Sequence, residues 1–284
     1  MPLQTVRTIH RMQSLSKQLL RRGKAIGFVP TMGALHEGHA SLIRKARREA
    51  DCVVVSIFVN PLQFGPKEDY ARYPRRFRED SRIIRDCRAD ILFAPAAKEM
   101  YPKAFVTKIC VAGPSLPLEG RLRPGHFDGV ATVVAKLLEA VQPSVLYLGQ
   151  KDYQQTLVIR KMIEDLNLPV ALRVCPTVRE RGGLAMSSRN AYLDETARNQ
   201  AAILYRALQA GAAAIRQGSR SASFVEAVMK KTIRQIPTVK IDYACARGAQ
   251  SLAPLKKLKG RVALLGAVRL GSVRLIDNLL VDVP

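Results

Sequence analysis

The alternation of two hydrophobic periods constrains the fold of this chain more than any other feature. Between residues 25 and 176, short apolar runs alternate with segments in which apolar residues recur about every 3.6 positions. The short runs predict buried strands at Ala25–Pro30, Cys52–Val59, Asp90–Ala94, Val145–Leu148 and Val170–Thr177. The periodic segments predict helices at Gly38–Ala50, Arg76–Arg88, Val130–Val141 and Tyr153–Leu166. Strands separated by helices form a parallel sheet with right-handed crossovers, so we predict a Rossmann-like α/β domain.

The pattern changes near Pro176. Two helical segments come first, and three apolar runs without helices between them close the chain. The predicted elements are helices Glu195–Gln217 and Ser223–Ile236 and strands Lys240–Ala246, Arg261–Val268 and Val273–Val281. A chain of 284 residues is long enough for two modest domains. We therefore predict a domain of residues 1–175 and a smaller α+β domain of residues 176–284.

The net charge of +23 has two interpretations. Basic surfaces attract nucleic acid, but they also arise from a solvated surface around a pocket for anionic substrates. The sequence contains no RNP motif, paired zinc ligands or basic tail, and its basic residues are scattered along the chain. We favour the solvated surface and keep nucleic-acid binding as the less favoured alternative.

The cysteines and the hydropathy pattern bear on the compartment. The five cysteines are widely spaced and form no CxxC pair, so neither a disulfide framework nor a zinc site is expected. There is no run of eighteen apolar residues and no apolar signal-peptide block near the start, so no membrane span is expected. We expect a protein of the reducing cytoplasm.

The segment Pro30–Leu42 (PTMGALHEGHASL) carries the first chemical motif. A predicted strand ends there, a glycine-containing turn follows, and His36 and His39 lie at the start of the next helix. Free backbone N–H groups and the helix dipole favour phosphate at such a helix start. Histidines can donate hydrogen bonds to phosphate oxygens, and Gly38 allows a nucleotide to approach the backbone. The motif resembles the HIGH signature of adenylate-forming nucleotidyl transferases.

Two further motifs carry polar side chains, and the parts of them that begin at Asn60 and at Gly149 follow predicted strand ends, where ligands bind in such sheets. In SIFVNPLQFGPKEDYARYPR, Asn60 and Gln63 could bind hydroxyl groups or a carboxylate, although ordinary turn chemistry also explains an Asn-Pro pair. The third motif runs from RPGHFDGVATVVAKL to YLGQKDYQQ, and its Arg123 and Lys151 are candidates for binding anionic groups, although a helix-start lysine can be merely solvated. Gln155 follows Lys151 by one helical turn and should lie on the same side.

The segment Thr177–Leu193 (TVRERGGLAMSSRNAYL) carries the fourth motif. A Gly-Gly pair, expected to be flexible, precedes Ser187, Ser188 and Arg189 in a predicted loop. Two hydroxyl groups and a guanidinium suit a polyphosphate. A polar linker with a helix cap is the alternative interpretation.

Five motifs occur in order: PTMGALHEGH, SIFVNPLQFGPKED, RPGHFDGVATVV, KDYQQ and GLAMSSRN. Together they resemble the pantothenate synthetase family, over nearly the whole chain and most densely from Val29 to Leu193. The resemblance implies an AMP-forming ligase that activates (R)-pantoate with ATP as pantoyl-adenylate and transfers it to β-alanine, giving pantothenate. It also implies a Rossmann-like domain, a C-terminal lid, a homodimer and Mg²⁺.

The resemblance also implies roles for individual residues. The implied ATP site comprises Met32, Gly33, Ala34, Leu35, His36, Glu37, Gly38, His39, Gly149, Gln150, Lys151, Asp152, Val178, Met186, Ser187, Ser188 and Arg189. The implied catalytic residues are His39, as proton donor, with His36, Lys151, Ser187, Ser188 and Arg189. Gln63 is implied to bind pantoate and β-alanine, Gln155 to bind pantoate, Asn60 and Arg123 to lie on the substrate side, and Asp80 to bind the metal.

Two positions depart from the family pattern. Gly182 stands where the family usually has an acidic residue, and Gln150 replaces the Glu of its usual G-E-K-D run. Gly182 permits a positive φ and extra freedom beside the Ser-Ser-Arg segment, so nucleotide affinity is expected to change. Two other functions remain open at this point: a nucleotidyl transferase with another acceptor, and a nucleic-acid-binding protein on the same fold.

Overall fold

A computed structural model describes residues 3–66 and 68–284 of the chain. The chain falls into two compact units. The first contains the residues up to Gly149 together with Gln155–Pro176, and the second contains Gln150–Gln154 and Thr177–Pro284. The short segment Gln150–Gln154 thus groups with the C-terminal part of the chain. The domain limits 1–175 and 176–284 stay a prediction.

The first unit is built on a parallel sheet with the strand order β1-β4-β3-β2-β5-β6. Its strands are β1 (Gln4–Val6), β2 (Ile26–Thr31), β3 (Cys52–Ile57), β4 (Ile91–Phe93), β5 (Val145–Gly149) and β6 (Ala171–Cys175). Neighbouring strands pair in parallel throughout, which confirms the predicted Rossmann-like sheet. The predicted strand Cys52–Val59 ends two residues early, at Ile57, just before the turn at Asn60. Strand β1 lacked a clear sequence pattern because it is a three-residue edge strand.

Helices cover both faces of this sheet. The helices of this part of the chain are α1 (Ile9–Arg21), α2 (Glu37–Glu49), α3 (Phe77–Asp86), α4 (Ala97–Met100), α5 (Glu119–Leu122), α6 (His126–Val141) and α7 (Tyr153–Asp165). One face packs α1, α6 and α7 against inward residues such as Phe28 and Val54, and the other packs α2 and α3 against Val29 and Val55. Alternate strand residues therefore serve opposite layers, because side chains alternate across a pleated strand. Both faces are buried, which explains the continuous apolar runs in the sequence.

The second unit packs helices against an antiparallel sheet. Its elements are α8 (Glu195–Ala201), α9 (Ile203–Arg216), α10 (Ala222–Ile233), β7 (Val239–Gly248), β8 (Arg261–Leu270) and β9 (Val273–Asp282). The strand order is β7-β8-β9, which confirms the predicted smaller α+β arrangement. The predicted single helix Glu195–Gln217 is wrong, because it is interrupted at Ala202. Among the described residues, no helix has the length and apolar character needed to cross a membrane.

Candidate functional site

The predicted site residues of the first unit gather where strands β2 and β3 end. These strands pair in register up to Thr31 and Ile57, so the loops that follow them are neighbours. Strand β2 pairs on one side with β3, the next strand in the chain, and on the other side with β5. The order of the strands therefore reverses between β2 and β5. Ligands bind at such a switch point in open parallel sheets. The loop from Met32 to His36 leads directly from β2 into α2.

His36 and His39 form a reciprocal cap at the start of α2. The His36 Nδ1 atom accepts a hydrogen bond from the Gly38 N–H at 3.1 Å, and the His39 Nδ1 atom accepts one from the His36 N–H at 3.3 Å. The two ring centroids are 4.1 Å apart. Because each Nδ1 is an acceptor, each neutral ring carries its hydrogen on Nε2. The cap therefore selects the tautomer that donates from Nε2, next to a helix N-terminus that favours anions.

Asp80 holds the loop before α2. Its carboxylate oxygens accept hydrogen bonds from the backbone N–H groups of Ala34 at 3.0 Å and Leu35 at 2.7 Å. Gly33 and Ala34 both have positive φ values, 84° and 49°, and a non-glycine residue in that region is strained. Burial raises the pKa of Asp80, whereas the two backbone hydrogen bonds favour its carboxylate form. Asp80 is 2% exposed, and these contacts assign it the role of fixing the loop that carries the histidines.

The Gln63 side chain is oriented by its neighbours. Its Oε1 atom accepts a hydrogen bond from Asn60 Nδ2 at 3.0 Å, and its Nε2 atom lies 3.1 Å from Met32 Sδ. Asn60 is itself fixed, because Nδ2 also donates to the Gly129 carbonyl at 3.0 Å and Oδ1 accepts from the Tyr101 hydroxyl at 2.7 Å. The carbonyl and the hydroxyl together define which way the Asn60 amide faces. Asn60 therefore orients the Gln63 side chain, and Gln63 in turn contacts Met32 in the loop after β2.

The Gln63 backbone is fixed from the other side. Its carbonyl oxygen lies 2.8 Å from His126 Nδ1 and accepts a hydrogen bond from Arg123 Nη2 at 3.4 Å. A carbonyl only accepts, so the His126 hydrogen lies on Nδ1, and His126 Nε2 accepts from Arg123 Nη1 at 3.0 Å. Burial, with the adjacent Arg123 charge, lowers the pKa of His126 to about 4. The imidazole is therefore neutral at pH 7.

Arg123 has a carboxylate partner within the first unit. Its Nε and Nη2 atoms donate to the Glu68 carboxylate at 2.6 and 2.7 Å, a two-bond pair of the strong kind. Burial opposes ionisation of Glu68, but the hydrogen bonds and charge of Arg123 outweigh it and hold the pKa of that carboxyl below its usual value. The guanidinium is thus committed to Glu68, His126 and Gln63. These contacts give Arg123 a structural role, and its expected contact with a substrate anion stays a prediction.

In the second unit, Lys151 lies in a short 3₁₀ turn, Gln150–Asp152. Its ammonium is 3.1 Å from Asp152 Oδ1, and its side chain is 21% exposed. The turn is held by Asn278 on β9, whose Nδ2 atom donates to the carbonyls of Gln150 at 2.9 Å and Lys151 at 3.0 Å. Gln150 Nε2 donates to Asn278 Oδ1 at 3.1 Å. Every polar atom of the Asn278 side chain is therefore used on this turn.

The segment before Ser187 forms a short hairpin, with the Gly-Gly pair at its turn. The Met186 N–H donates to the Val178 carbonyl at 3.0 Å, and the Gly183 N–H closes the turn on the Glu180 carbonyl at 2.8 Å. The positive φ that glycine permits is found at Gly183, at 92°, and not at Gly182. A Cβ atom on Gly182 would meet no atom within 4 Å. Position 182 is therefore open to larger residues.

Ser187 and Arg189 follow this hairpin. Ser187 caps the turn Ser188–Tyr192 by accepting a hydrogen bond from the Arg189 N–H at 3.3 Å. Asn190 lies behind them and donates to the Glu180 carboxylate at 2.9 Å and to the Ala185 carbonyl at 3.1 Å. These bonds fix the base of the Ser-Ser-Arg segment. Ser187, Ser188 and Arg189 are all half-buried.

Arg179 fastens the hairpin to strand β9. Its guanidinium donates to both oxygens of Asp277, at 2.5 and 3.0 Å, and to the Gly183 carbonyl at 3.1 Å. The ring of Tyr205 lies under the guanidinium, with 3.6 Å from the Arg179 Cζ atom to the ring centroid. Such planar, two-bond and stacked contacts require arginine rather than lysine. The adjacent residues Asp277 and Asn278 thus hold the two segments of the second unit that were expected to bind phosphate.

The arrangement of the carboxylates bears on the expected Mg²⁺ site. Within residues 3–66 and 68–284, no group of three or more His, Cys, Asp or Glu side chains is arranged to hold a metal ion. Asp80 accepts one backbone hydrogen bond at each of its carboxylate oxygens. The described residues therefore form no all-protein cage. Mg²⁺ commonly binds through one or two carboxylates and substrate phosphates, so its assignment to Asp80 stays a prediction.

The structure thus connects the predicted residues in two sets. In the first unit, Met32, Asn60, Gln63 and Arg123 belong to one hydrogen-bond network, and Asp80 supports the histidine loop. Gly149 ends β5, and Gln155 lies half-buried in α7. In the second unit, Gln150–Asp152, Val178 and Met186–Arg189 lie in the turn and the hairpin described above. Sequence reasoning missed the supporting residues, which are Glu68, Tyr101, His126, Arg179, Asp277 and Asn278. Glu68 and His126 lie inside the recognised motifs, so inspection of those motifs could have found them.

Comparison with known proteins gives consistent results. A family model described as pantoate-beta-alanine ligase matches residues 4–280. Pantothenate synthetase from Moorella thermoacetica is 50% identical over 281 residues, which cover 99% of this chain and 98% of that protein. A crystal structure of pantothenate synthetase from Thermus thermophilus has a TM-score of 0.92 and 45% identity, covering 97% of this chain and 98% of the other.

A second solved structure is that of a relative with bound ligands. The pantoate-beta-alanine ligase from Francisella tularensis, complexed with beta-gamma ATP and beta-alanine, has a TM-score of 0.79 and 38% identity. The match covers 98% of each chain. A match of this identity over nearly the whole length goes far beyond a shared fold. The chain therefore belongs to the pantoate-beta-alanine ligase family, as its five ordered motifs predicted.

Proposed function

We propose that this chain condenses (R)-pantoate with β-alanine at the expense of ATP, giving pantothenate, AMP and pyrophosphate through pantoyl-adenylate. The observation that carries the proposal is the reciprocal cap of His36 and His39 at the start of α2. The cap leaves the imidazole hydrogens on Nε2 and sets them beside a helix N-terminus. That combination suits the polyphosphate of a nucleotide. Membership of the pantoate-beta-alanine ligase family indicates pantoate as the acid that is activated and β-alanine as the amine that accepts it.

The first half-reaction joins two anions. A pantoate carboxylate oxygen attacks the α-phosphorus of ATP, the new O–P bond forms, and the bond from the α-phosphorus to the bridging oxygen breaks as pyrophosphate leaves. In the first unit, His36 and His39 would donate hydrogen bonds to phosphate oxygens, with His39 as the proton donor. In the second unit, Lys151, Arg189 and the hydroxyls of Ser187 and Ser188 would offset the phosphate charge. Preorganised donors of this kind stabilise developing negative charge without reorganisation.

The Gln63 network supports the binding of pantoate. The side-chain amide of Gln63 is held by Asn60, and the Gln63 carbonyl is held by His126 and Arg123. The donor and acceptor directions of this amide are therefore set before substrate binds. A preorganised amide loses little conformational freedom when it binds a hydroxyl or a carboxylate. Gln155, on α7, is proposed as a second pantoate ligand. Gln63 is also proposed to lie near β-alanine.

In the second half-reaction, the neutral amine of β-alanine attacks the acyl carbon of pantoyl-adenylate. The C–N bond forms, the acyl–phosphate C–O bond breaks, AMP leaves, and the amine releases a proton. Positioning of the two substrates supplies most of the catalysis here, because the acyl-adenylate is already activated. Mg²⁺, arriving with the ATP phosphates, would neutralise part of their charge.

Two further parts of the proposal come from the family resemblance. We infer a homodimer, which sedimentation velocity on the purified chain would test. The cytoplasmic location expected from the sequence stays a prediction. Neither affects the chemistry proposed for the residues above.

The reaction is tested by product analysis. The chain is incubated with ATP, Mg²⁺ and pantoate, with and without β-alanine, and the products are identified by mass spectrometry. We expect pantoyl-adenylate and pyrophosphate without β-alanine, and pantothenate and AMP with it. Adenylate formation with another acid but not with pantoate would instead identify a nucleotidyl transferase with a different acceptor.

The role of Lys151 is tested by substitution. Removing one preorganised charge from the reacting phosphates should cost about a hundredfold in rate, so Lys151→Ala should lower adenylation by at least that factor. Lys161→Ala is the matched control, because Lys161 is half-exposed and pairs with Asp165 on the surface of α7. Rapid-quench measurements should show near-normal adenylation for the control. Near-normal adenylation by Lys151→Ala would remove Lys151 from the proposed site.

A further inference from the structure

We infer that Asn278 is a positioning residue, which sets the location of Lys151 by holding the carbonyl groups of the Gln150–Asp152 turn. The inference rests on the proposed function of Lys151. Asn278 lies on β9, more than 120 positions after the turn in sequence, and is 2% exposed. Among the described residues, its side chain makes three hydrogen bonds, and all three go to residues 150 and 151.

The orientation of the Asn278 amide follows from its partners. The Gln150 and Lys151 carbonyls can only accept hydrogen bonds, so the Nδ2 group must face them, at 2.9 and 3.0 Å. The Oδ1 atom then faces the residue 150 side chain and requires a donor there. Gln150 Nε2 supplies that donor at 3.1 Å. An ionised Glu at position 150, usual in the family pattern, has no such donor, so this contact is a property of the departure noted in the sequence.

The strand that carries Asn278 is itself well anchored. Asp277 is 4% exposed and forms the two-bond pair with Arg179, and its Oδ1 atom accepts a hydrogen bond from the Asn278 N–H at 2.8 Å. The same pair of residues thus fixes the hairpin before Ser187 and the turn that carries Lys151. Lysine has a long flexible side chain, so the position of its backbone decides which region its ammonium can reach. A displacement of about 1 Å in a catalytic group can cost about a hundredfold in rate.

The test compares three variants of the full chain. Asn278→Ala removes all three hydrogen bonds, Gln150→Met removes only the donor to Oδ1, and Leu275→Ala deletes buried carbon elsewhere on β9. Leu275→Ala is the matched control for loss of stability. All three are assayed for adenylation at saturating ATP and pantoate, for both KM values, for thermal unfolding, and for backbone amide exchange at residues 151–154.

We expect a graded result. Asn278→Ala should lower the adenylation kcat at least about tenfold with KM values within about threefold, because the displaced group acts in the reaction and not mainly in binding. Gln150→Met should lower kcat about two- to threefold, since the bonds to the two carbonyls remain. Exchange at residues 151–154 should be faster in Asn278→Ala than in Leu275→Ala, and the control should keep kcat within about twofold.

Three outcomes would overturn the inference. Equal kcat values for Asn278→Ala and Leu275→Ala would reduce Asn278 to a contributor to stability. A loss in Gln150→Met as large as that in Asn278→Ala would mean that side chain 150 acts on the reactants directly. A wild-type chain that forms no adenylate would overturn the proposed function and the catalytic part of this inference, whereas amide exchange would still report whether Asn278 holds the turn.

Discussion

Acidification should weaken the first unit through His126. The buried ring donates from Nδ1 to the Gln63 carbonyl and accepts from Arg123 at Nε2. Both ring nitrogens are therefore engaged, and a proton on Nε2 would replace the hydrogen bond from Arg123. Protonation would direct an Nε2 hydrogen at the guanidinium. Burial and the Arg123 charge accordingly lower the pKa of His126 from 6.5 to about 4.

The effect of pH on the free energy of unfolding follows from the difference in the His126 pKa between the folded and the unfolded chain. Between pH 6.5 and about 4 the unfolded chain binds a proton at this site and the folded chain does not, so stability falls as the pH falls through that window. The drop from 6.5 to about 4 corresponds to about 3 kcal/mol in all, at about 1.4 kcal/mol per pH unit. About 2 kcal/mol of it should be lost by pH 5.

The comparison variant is His126→Asn, whose side-chain amide can donate to the Gln63 carbonyl but does not titrate. Urea unfolding followed by circular dichroism at pH 7, 6 and 5 gives the free energy of unfolding for both proteins. The wild-type advantage over the variant should shrink by about 2 kcal/mol from pH 7 to pH 5. Proton NMR provides a direct check, because the chain has only four histidines and the variant identifies one resonance.

A His126 resonance that titrates near 6.5 would refute this reasoning. So would a difference in unfolding free energy that stays constant from pH 7 to pH 5. Either result would mean that the imidazole accepts a proton in the folded chain, and that the contacts with Gln63 and Arg123 do not hold it neutral.

Three other predictions concern substrate, backbone and surface. Gln63→Ala and Gln155→Ala should raise the KM for pantoate much more than the dissociation constant for ATP measured by calorimetry, and the opposite pattern would remove them from the pantoate site. Gly183→Ala should destabilise the chain by about 1–3 kcal/mol in thermal unfolding, because φ is 92° and the new Cβ would lie 2.7 Å from the Tyr205 ring, whereas Gly182→Ala should be nearly neutral. Binding of DNA or RNA in a filter assay should be weak and vanish at moderate salt, because it would rest on counterion release, and tight salt-resistant binding would revive the nucleic-acid interpretation of the +23 charge.

The sequence predicted most of the elements that position the site. Period-2 and period-3.6 patterns report burial of local segments, and the burial of both sheet faces made the strands of the first unit readable as continuous apolar runs. The patterns failed where local signals were weak. Strand β1 is too short to show a period, and the break at Ala202 falls within an otherwise uninterrupted helical pattern.

The sequence by itself determined the fold class, the family and the segments that carry chemistry, because each depends on residue types at short spacing. Only the tertiary structure decided what the polar residues do. Arg123 pairs with Glu68 and holds Gln63, the His36 and His39 rings cap α2 through Nδ1, and Asn278 holds the turn of Lys151. The Lys151 turn and Asn278 are far apart in sequence, and the choice among hydrogen-bond partners depends on which side chains the packed core leaves within about 3 Å of one another. Local periodicity carries no information about that choice.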